Sequence, residues 1–297
     1  LPFLEEGKQL LRHRAILEGH AGNPWQYRVL SAYLIEGAIQ LLIKINIPHP
    51  IAVSFIMCRV LLGTAICICA FIYYQKLGLS RGLAFNGMLL LGWGMSYAHY
   101  DSDLQFNTYF DILFYLLVVL CILHKRLFWL IPLMLLAALN RETSGLIPLL
   151  IFFSFRSENY SIGRTRTMCI AAATLGIYLV IFILLRSLYP EQTLLVPYGN
   201  HPGYELLTHN ITSILTLDRL FATLSIIPIV ALIGYRQWPQ QLKVFFWVVV
   251  PIWFAIHFIG SVVAEARLFL VPQALIFLPG FLFFVGNEHP HININLH

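Results

Sequence analysis

Leu139-Asn140-Arg141-Glu142-Thr143-Ser144-Gly145 is the stretch on which the fold turns. Its five polar residues and glycine interrupt an apolar run that otherwise extends from Leu127 to Phe155. An ionised side chain in mid-hydrocarbon costs on the order of 2.5–3.5 kcal/mol on insertion scales, so a charge placed there has a partner or a task. The neighbours are too apolar for a loop in water, and nothing in the local sequence accounts for the charges.

Composition sets the class around that stretch. Hydrophobic residues make up 59% of the chain and charged residues only 11%, with a mean hydropathy of +0.75. Soluble domains carry about 25% charged residues, so the chain reads as an all-α, polytopic membrane protein in contact with a lipid bilayer. Its apolar runs are continuous over about 20 residues rather than alternating, which excludes a closed barrel. The formal charge of +5 reports orientation rather than a nucleic-acid partner. Cys58, Cys67, Cys69, Cys121 and Cys169 all lie in apolar runs, where they are expected as small buried hydrophobes. Residues 67 and 69 face different ways on a helix, so no metal or disulfide framework is indicated.

The pattern predicts a bundle of about 8–10 spans in a single membrane domain. Residues 1–47 form an interfacial region whose amphipathic helix ends at Gly19 and the turn Gly22-Asn23-Pro24. Trp25-Gln26-Tyr27-Arg28 follows at headgroup level. Residues 29–47, with Glu36 and Lys44, either cross or lie obliquely. The bundle occupies 51–286, with crossings at 51–74, 82–97, 108–123, 168–188, 219–235, 244–262 and 268–286 and a long polar loop at 189–218; 287–297 is a polar tail. The chain opens at Leu1 without methionine or a signal-peptide pattern, as expected if a preceding helix is missing.

Placing the turns at 75–81, 124–126, 156–166 and 236–243 in the cytoplasm puts nine Lys and Arg residues there, the positive-inside bias. Both flanks of 127–155 are then on one side, so that segment must go out and come back. Each arm has about a dozen residues, roughly 18 Å of helix at 1.5 Å per residue, against a core of about 30 Å. Asn140–Gly145 becomes the tip of a short hairpin below the outer surface. Non-helical backbone at that depth needs protein or a watery cavity around it. The same topology sends Asp101, Asp103, Glu265 and Arg267 to the outer side.

Several constellations there could carry chemistry. Asp103, Asn107 and Asp111 recur every four residues and continue to Tyr115, one polar stripe if the helix begins near Ser102. The stripe could be a capped helix start with Asp111 paired to a buried arginine such as Arg59. Alternatively, Asp101 and Asp103 hold a divalent cation, Mg²⁺ or Mn²⁺, against a substrate phosphate. Arg141 and Glu142 either neutralise each other or act on substrate, Arg141 as a phosphate donor and Glu142 orienting a hydroxyl. Glu265 and Arg267, two apart, are expected to have separate partners on a helix. The sequon Asn210-Ile211-Thr212 carries little weight, and His201 and His209 lack metal spacing.

Taken in order, Tyr27-Arg28-Val29-Leu30, Tyr100-Asp101-Ser102-Asp103, Leu139-Asn140-Arg141-Glu142-Thr143 with Pro148, and Glu265-x-Arg267-Leu268-Phe269 with Pro272 form a recognisable set. The chain resembles bacterial multi-span proteins related to the GT-C superfamily of membrane glycosyltransferases. The resemblance implies transfer of a sugar from a polyprenyl-phosphate donor to an acceptor on the extracytoplasmic face of the inner membrane. It also implies an essential Asp or Glu in a first outer loop, which here would fall in 1–28, where the acids are Glu5, Glu6 and Glu18. In an outer cavity, Asp101, Asp103 and Glu142 would be catalytic, and Arg28, Asn107, Asp111, Asn140, Arg141, Glu265 and Arg267 would bind substrate. A transporter or flippase of a lipid or small anion, and a non-catalytic membrane subunit, are the alternatives. The lack of an internal repeat, and of a matching broken segment in the second half, speaks against transport.

Overall fold

A computed structural model of the chain describes residues 8–102, 105–154, 164–190, 193, 196 and 199–287. Every regular element among them is helical, as the apolar runs require. Helices α1 (Lys8–Leu17) and α2 (Val29–Lys44) precede α3 (Pro50–Lys76), α4 (Arg81–Ser102) and α5 (Phe106–Leu123). The hairpin consists of α6 (Leu130–Asn140) and α7 (Ile147–Ser154), and α8 (Arg164–Leu188) follows it. Then come α9 (Tyr204–Thr212), α10 (Ile214–Leu224), α11 (Ile227–Ile233) and α12 (Gln240–Gly260). The last span begins as a 3₁₀ turn, Ala266–Phe269, and continues through α13 (Leu270–Pro272), a π-helical stretch Gln273–Phe277 and α14 (Leu278–Asn287).

Among the described residues, five helices are long and apolar enough to cross a membrane, or six if the bent pair α10–α11 is one span. The chain is an integral membrane protein. The remaining predicted crossing, α4, is 22 residues long but diluted by polar side chains, and the two hairpin arms are shorter apolar helices. Burial ranks the spans: 78% of the last span's apolar window is buried against 17% for α3 and α8, so it forms the axis and they face lipid. The π-helical turn on that axis exposes carbonyls that the ordinary ladder would satisfy. Tyr73 Oη donates to Leu275 O (2.8 Å) and Tyr74 Oη to Ala274 O (2.9 Å), both fully buried.

Two faces follow from the packing. Lys76, His124 and Arg126 meet at one end, where partial burial and then these two cations push the His124 imidazole down. Leu83 packs toward Gly286, and Trp238 against Gly280, at the same end. This is the basic face. Gln105 and Arg267 meet at the other end, the site face, and so do Asn210 and Ser261.

The hairpin is as expected. Asn140 Nδ2 donates to Asn107 O (2.8 Å) at the start of α5, while the turn 124–126 joins the opposite ends, so α6 runs antiparallel along α5. A 3₁₀ turn, Glu142–Leu146, reverses the chain. Phe153 of α7 then lies with Tyr235 and Lys243 at the basic face. A Cβ on Gly145 at the reversal would lie 2.8 Å from Tyr178 Cζ, so any larger residue there has to displace that ring.

Three expectations are corrected and one open alternative is decided. The stretch 219–235 is not one straight span: it bends by 68° between Leu224 and Ile227. Pro228 would clash with the carbonyl four residues back, at Leu224, and Ser225 takes a left-handed φ of 56°. The loop 189–218 contains α9 and the start of α10, and Asn210 is buried inside it. Its amide donates to Phe258 O and Ser261 O and accepts from Val263 N, so the sequon asparagine is a structural tie. The cysteines are free but not fully buried: Cys169 is exposed and four are half-buried, with Cys69 and Cys121 packed against the main core and Cys58 against a smaller cluster. Finally, residues 29–47 do not cross. Arg28 at one end of α2 reaches the hairpin tip, and at the other end the chain turns directly into α3, so α1 and α2 lie across the site face.

Candidate functional site

Three elements converge on the hairpin tip. Asn107, Asp111 and Tyr115 line one face of α5, and each meets the tip: Asn107 O accepts from Asn140, Asp111 pairs with Arg141, and Tyr115 Oη donates to Thr143 O (2.6 Å). The stripe is therefore real, but α5 begins at Phe106 rather than near Ser102, so Asp103 is not its first turn. Asp103 lies outside the described residues. Asp101 belongs to the last turn of α4, and its side chain is likewise outside the description, as are Glu5 and Glu6. Among the described residues no three His, Cys, Asp or Glu side chains come together to hold a metal.

Asp111 and Arg141 form a salt bridge (3.1 Å) with both side chains 3% exposed. Thr143 Oγ1 donates to the same carboxylate (3.3 Å). Arg59, the partner considered from sequence, instead donates to Gln9 and lies over Phe106. Glu142 is held differently. Arg28 Nε and Nη2 both reach Glu142 Oε2 (3.1 Å each), while Oε1 is buried with no hydrogen-bond partner. Asn140 Oδ1, Arg141 Nε and Ser144 Oγ are also buried without partners. Four such atoms within five consecutive residues are unusual, since buried polar atoms are nearly always satisfied. Asn140 Oδ1, Glu142 Oε1 and Ser144 Oγ can accept hydrogen bonds there and Arg141 Nε can donate one, so the tip can bond water or a ligand.

Beside the tip is an indole ringed by cations. Arg12, Arg28 and Arg267 lie 4.6, 5.2 and 5.5 Å from the Trp25 ring. With its amide oxygen turned toward them, Gln105 accepts from Arg267 Nη1 (2.7 Å) and from Arg12. Arg12, Trp25, Arg28, Gln105 and Asn107 border one pocket of about 60 Å³, with Phe55 and Phe106 as apolar walls. Gln26 fixes this segment by accepting from Ala21 N (2.9 Å) and donating to Ile16 O (3.0 Å). His13 bonds Glu36 Oε2 (3.0 Å) across α1 and α2, and Gln40 donates to Glu36 Oε1 (2.6 Å). Gln40 first and His13 second hold the Glu36 carboxyl below the ordinary carboxylate range.

Glu265 and Arg267 pair directly (2.6 Å), contrary to the expectation of separate partners. The helical spacing rule does not apply, because Glu265 precedes the 3₁₀ turn with ψ of 66°. Of the residues singled out from sequence, Arg28, Asn107, Asp111, Asn140, Arg141 and Glu142 come together at the tip. Arg267, with Glu265, joins through Trp25. Arg12, Trp25 and Gln105 were not foreseen as site residues. The only signal was for Trp25, in the aromatic and basic composition after the Gly-Asn-Pro turn.

Comparison of the chain with protein-family models, with curated proteins and with solved structures gives no significant match.

Proposed function

We propose that the chain is a membrane glycosyltransferase that moves a sugar from a polyprenyl-phosphate donor to an acceptor hydroxyl at the extracytoplasmic face. The observation that carries the reading is the state of Glu142: one carboxylate oxygen is anchored by Arg28, which borders the pocket together with Arg12, and the other has no protein hydrogen-bond partner. A general base must present an oxygen within hydrogen-bond reach of the proton it takes. Developing negative charge on a leaving phosphate calls for fixed cations, and arginine presents a permanently charged fork for it.

In this reading the acceptor hydroxyl donates to Glu142 Oε1. The acceptor oxygen bonds to the anomeric carbon, and the bond from that carbon to the phosphate oxygen breaks. The proton passes to Glu142, and the phosphate leaves with the electron pair toward Arg12, Arg28 and Arg267. Asp111 and Arg141 hold the tip rather than react, since each neutralises the other's charge and neither borders the pocket. Positive-inside bias supports the assignment of the site face to the extracytoplasmic side.

Purified protein supplied with labelled polyprenyl-phosphate sugar and candidate acceptors is expected to release lipid phosphate. Glu142→Gln should lower turnover by at least about 100-fold, the usual scale of a general base, with little change in melting temperature. Wild-type turnover in that variant would remove Glu142 from the chemistry.

The bend between α10 and α11 favours a second reading, because broken helices also line transport sites. Its apex, Ser225-Ile226, carries no charge, which places it second. Uptake of a lipid or small anion into proteoliposomes without covalent change would promote it.

A further inference from the structure

On the basic face, far from the arginine pocket, a groove of about 680 Å³ opens between α7 and α12. Its walls are apolar, Leu149 and Phe153 from α7 and Trp247 and Ile252 from α12. Its end at the basic face is polar, formed by Tyr235, Gln240 and Lys243. The size is within the range of about 300–1,000 Å³ typical of pockets that enclose a small organic ligand. The walls are exposed: Leu149 and Phe153 are each 38% accessible, and Trp247 63%. An apolar slot with one polar end, set in a membrane protein, matches a molecule that is itself an apolar chain with a polar end.

The charge selects the kind of head. Lys243 Nζ reaches Arg236 O (3.3 Å) and lies 5.4 Å from the Tyr235 ring. An ammonium has three donors, and Arg236 O takes one. Lys76, Arg81, Lys125, Arg126 and Arg236 share this face with Lys243, and among the described residues its turns carry no Asp or Glu. Trp247 Nε1 donates to Tyr235 Oη (2.9 Å), holding the two rings at headgroup level beside the lysine.

We propose that this groove binds one anionic glycerophospholipid, with an acyl chain between α7 and α12 and the phosphate on Lys243. The site is separate from the arginine pocket and does not depend on the chemistry assigned there. Because α7 is the returning arm of the hairpin, the bound chain packs directly on the element that carries the tip.

The test uses the whole protein reconstituted in nanodiscs of phosphatidylglycerol or of phosphatidylcholine, then extracted and weighed intact by native mass spectrometry. About one phosphatidylglycerol per chain should be retained, in preference to phosphatidylcholine. Lys243→Gln should weaken retention about fivefold, the worth of one basic residue at an anionic surface. Leu149→Trp, which fills the slot from an exposed position, should abolish it while Lys243 remains. Melting temperature should rise with phosphatidylglycerol in the native chain and not in Leu149→Trp, since a ligand of the folded state stabilises it. Equal retention of the two lipids, retention unchanged in both variants, or a dimer that covers the groove without lipid would overturn the proposal.

Discussion

Arg141 and Asp111 are the two charges whose burial most constrains the molecule. Both are almost wholly out of contact with solvent, and each is the other's counter-ion. Removing one partner of a buried pair leaves an uncompensated charge and costs about 3–5 kcal/mol, whereas replacing both by apolar residues is often neutral. Arg141→Met alone should therefore destabilise the protein by that amount. The double variant Arg141→Met, Asp111→Leu should recover most of it, as measured by thermal unfolding in detergent. A double variant as unstable as the single would show that the pair is held for more than mutual neutralisation. That Asp111 needs a cation was legible from its place in an apolar run. Which arginine serves was not, because Arg59 and Arg141 both lie in apolar surroundings and only packing brings one of them within 3.1 Å.

The hairpin is the element that brings the site together, and its turn leaves no spare volume. A methyl group on Gly145 would meet the Tyr178 ring at 2.8 Å, and that ring is fixed by donating its hydroxyl to Glu142 O (3.1 Å). Gly145→Ala should cost about 1–3 kcal/mol, the usual penalty of overpacking, and should disturb Glu142 with it. Combining it with Tyr178→Leu should restore the melting temperature. No recovery would mean that the backbone of the turn, rather than the ring, is what the methyl disturbs. The existence of this hairpin was legible in the basic flanks of 127–155 together with arms too short to cross. The bend between α10 and α11 was less so. Pro228 was visible, but a proline in an apolar run is equally compatible with a mild kink, and neighbouring helices decide the angle. The pairing of Glu265 with Arg267 was hidden for a related reason: the rule that residues two apart diverge holds only on a regular helix, and the chain there is not one.

Across the whole molecule, the polar residues that orientation does not explain gather on one face, and α1 and α2 cover it. This arrangement predicts a labelling pattern. In a background lacking the native cysteines, Glu18→Cys and Tyr204→Cys should react with an impermeant thiol reagent from one side of sealed vesicles. Lys76→Cys and Arg236→Cys should react only from the other. All four positions are on or near turns, and Glu18, Lys76, Tyr204 and Arg236 are exposed. Labelling of Glu18→Cys from the Lys76 side would mean that α2 crosses the membrane. Composition and charge by themselves determined that the chain is a helical membrane protein, where its basic turns lie, and that 127–155 must double back. Those properties follow from transfer energies and charge bias, which are sums over local sequence. Only the tertiary structure decided which cation meets which carboxylate, that α2 lies across the site face, that Gln105 joins the site, and that Arg12 and Trp25 do so from more than a hundred residues before the tip. Such contacts depend on the rotation and tilt of packed helices, and helices that all face lipid or one another look alike in sequence.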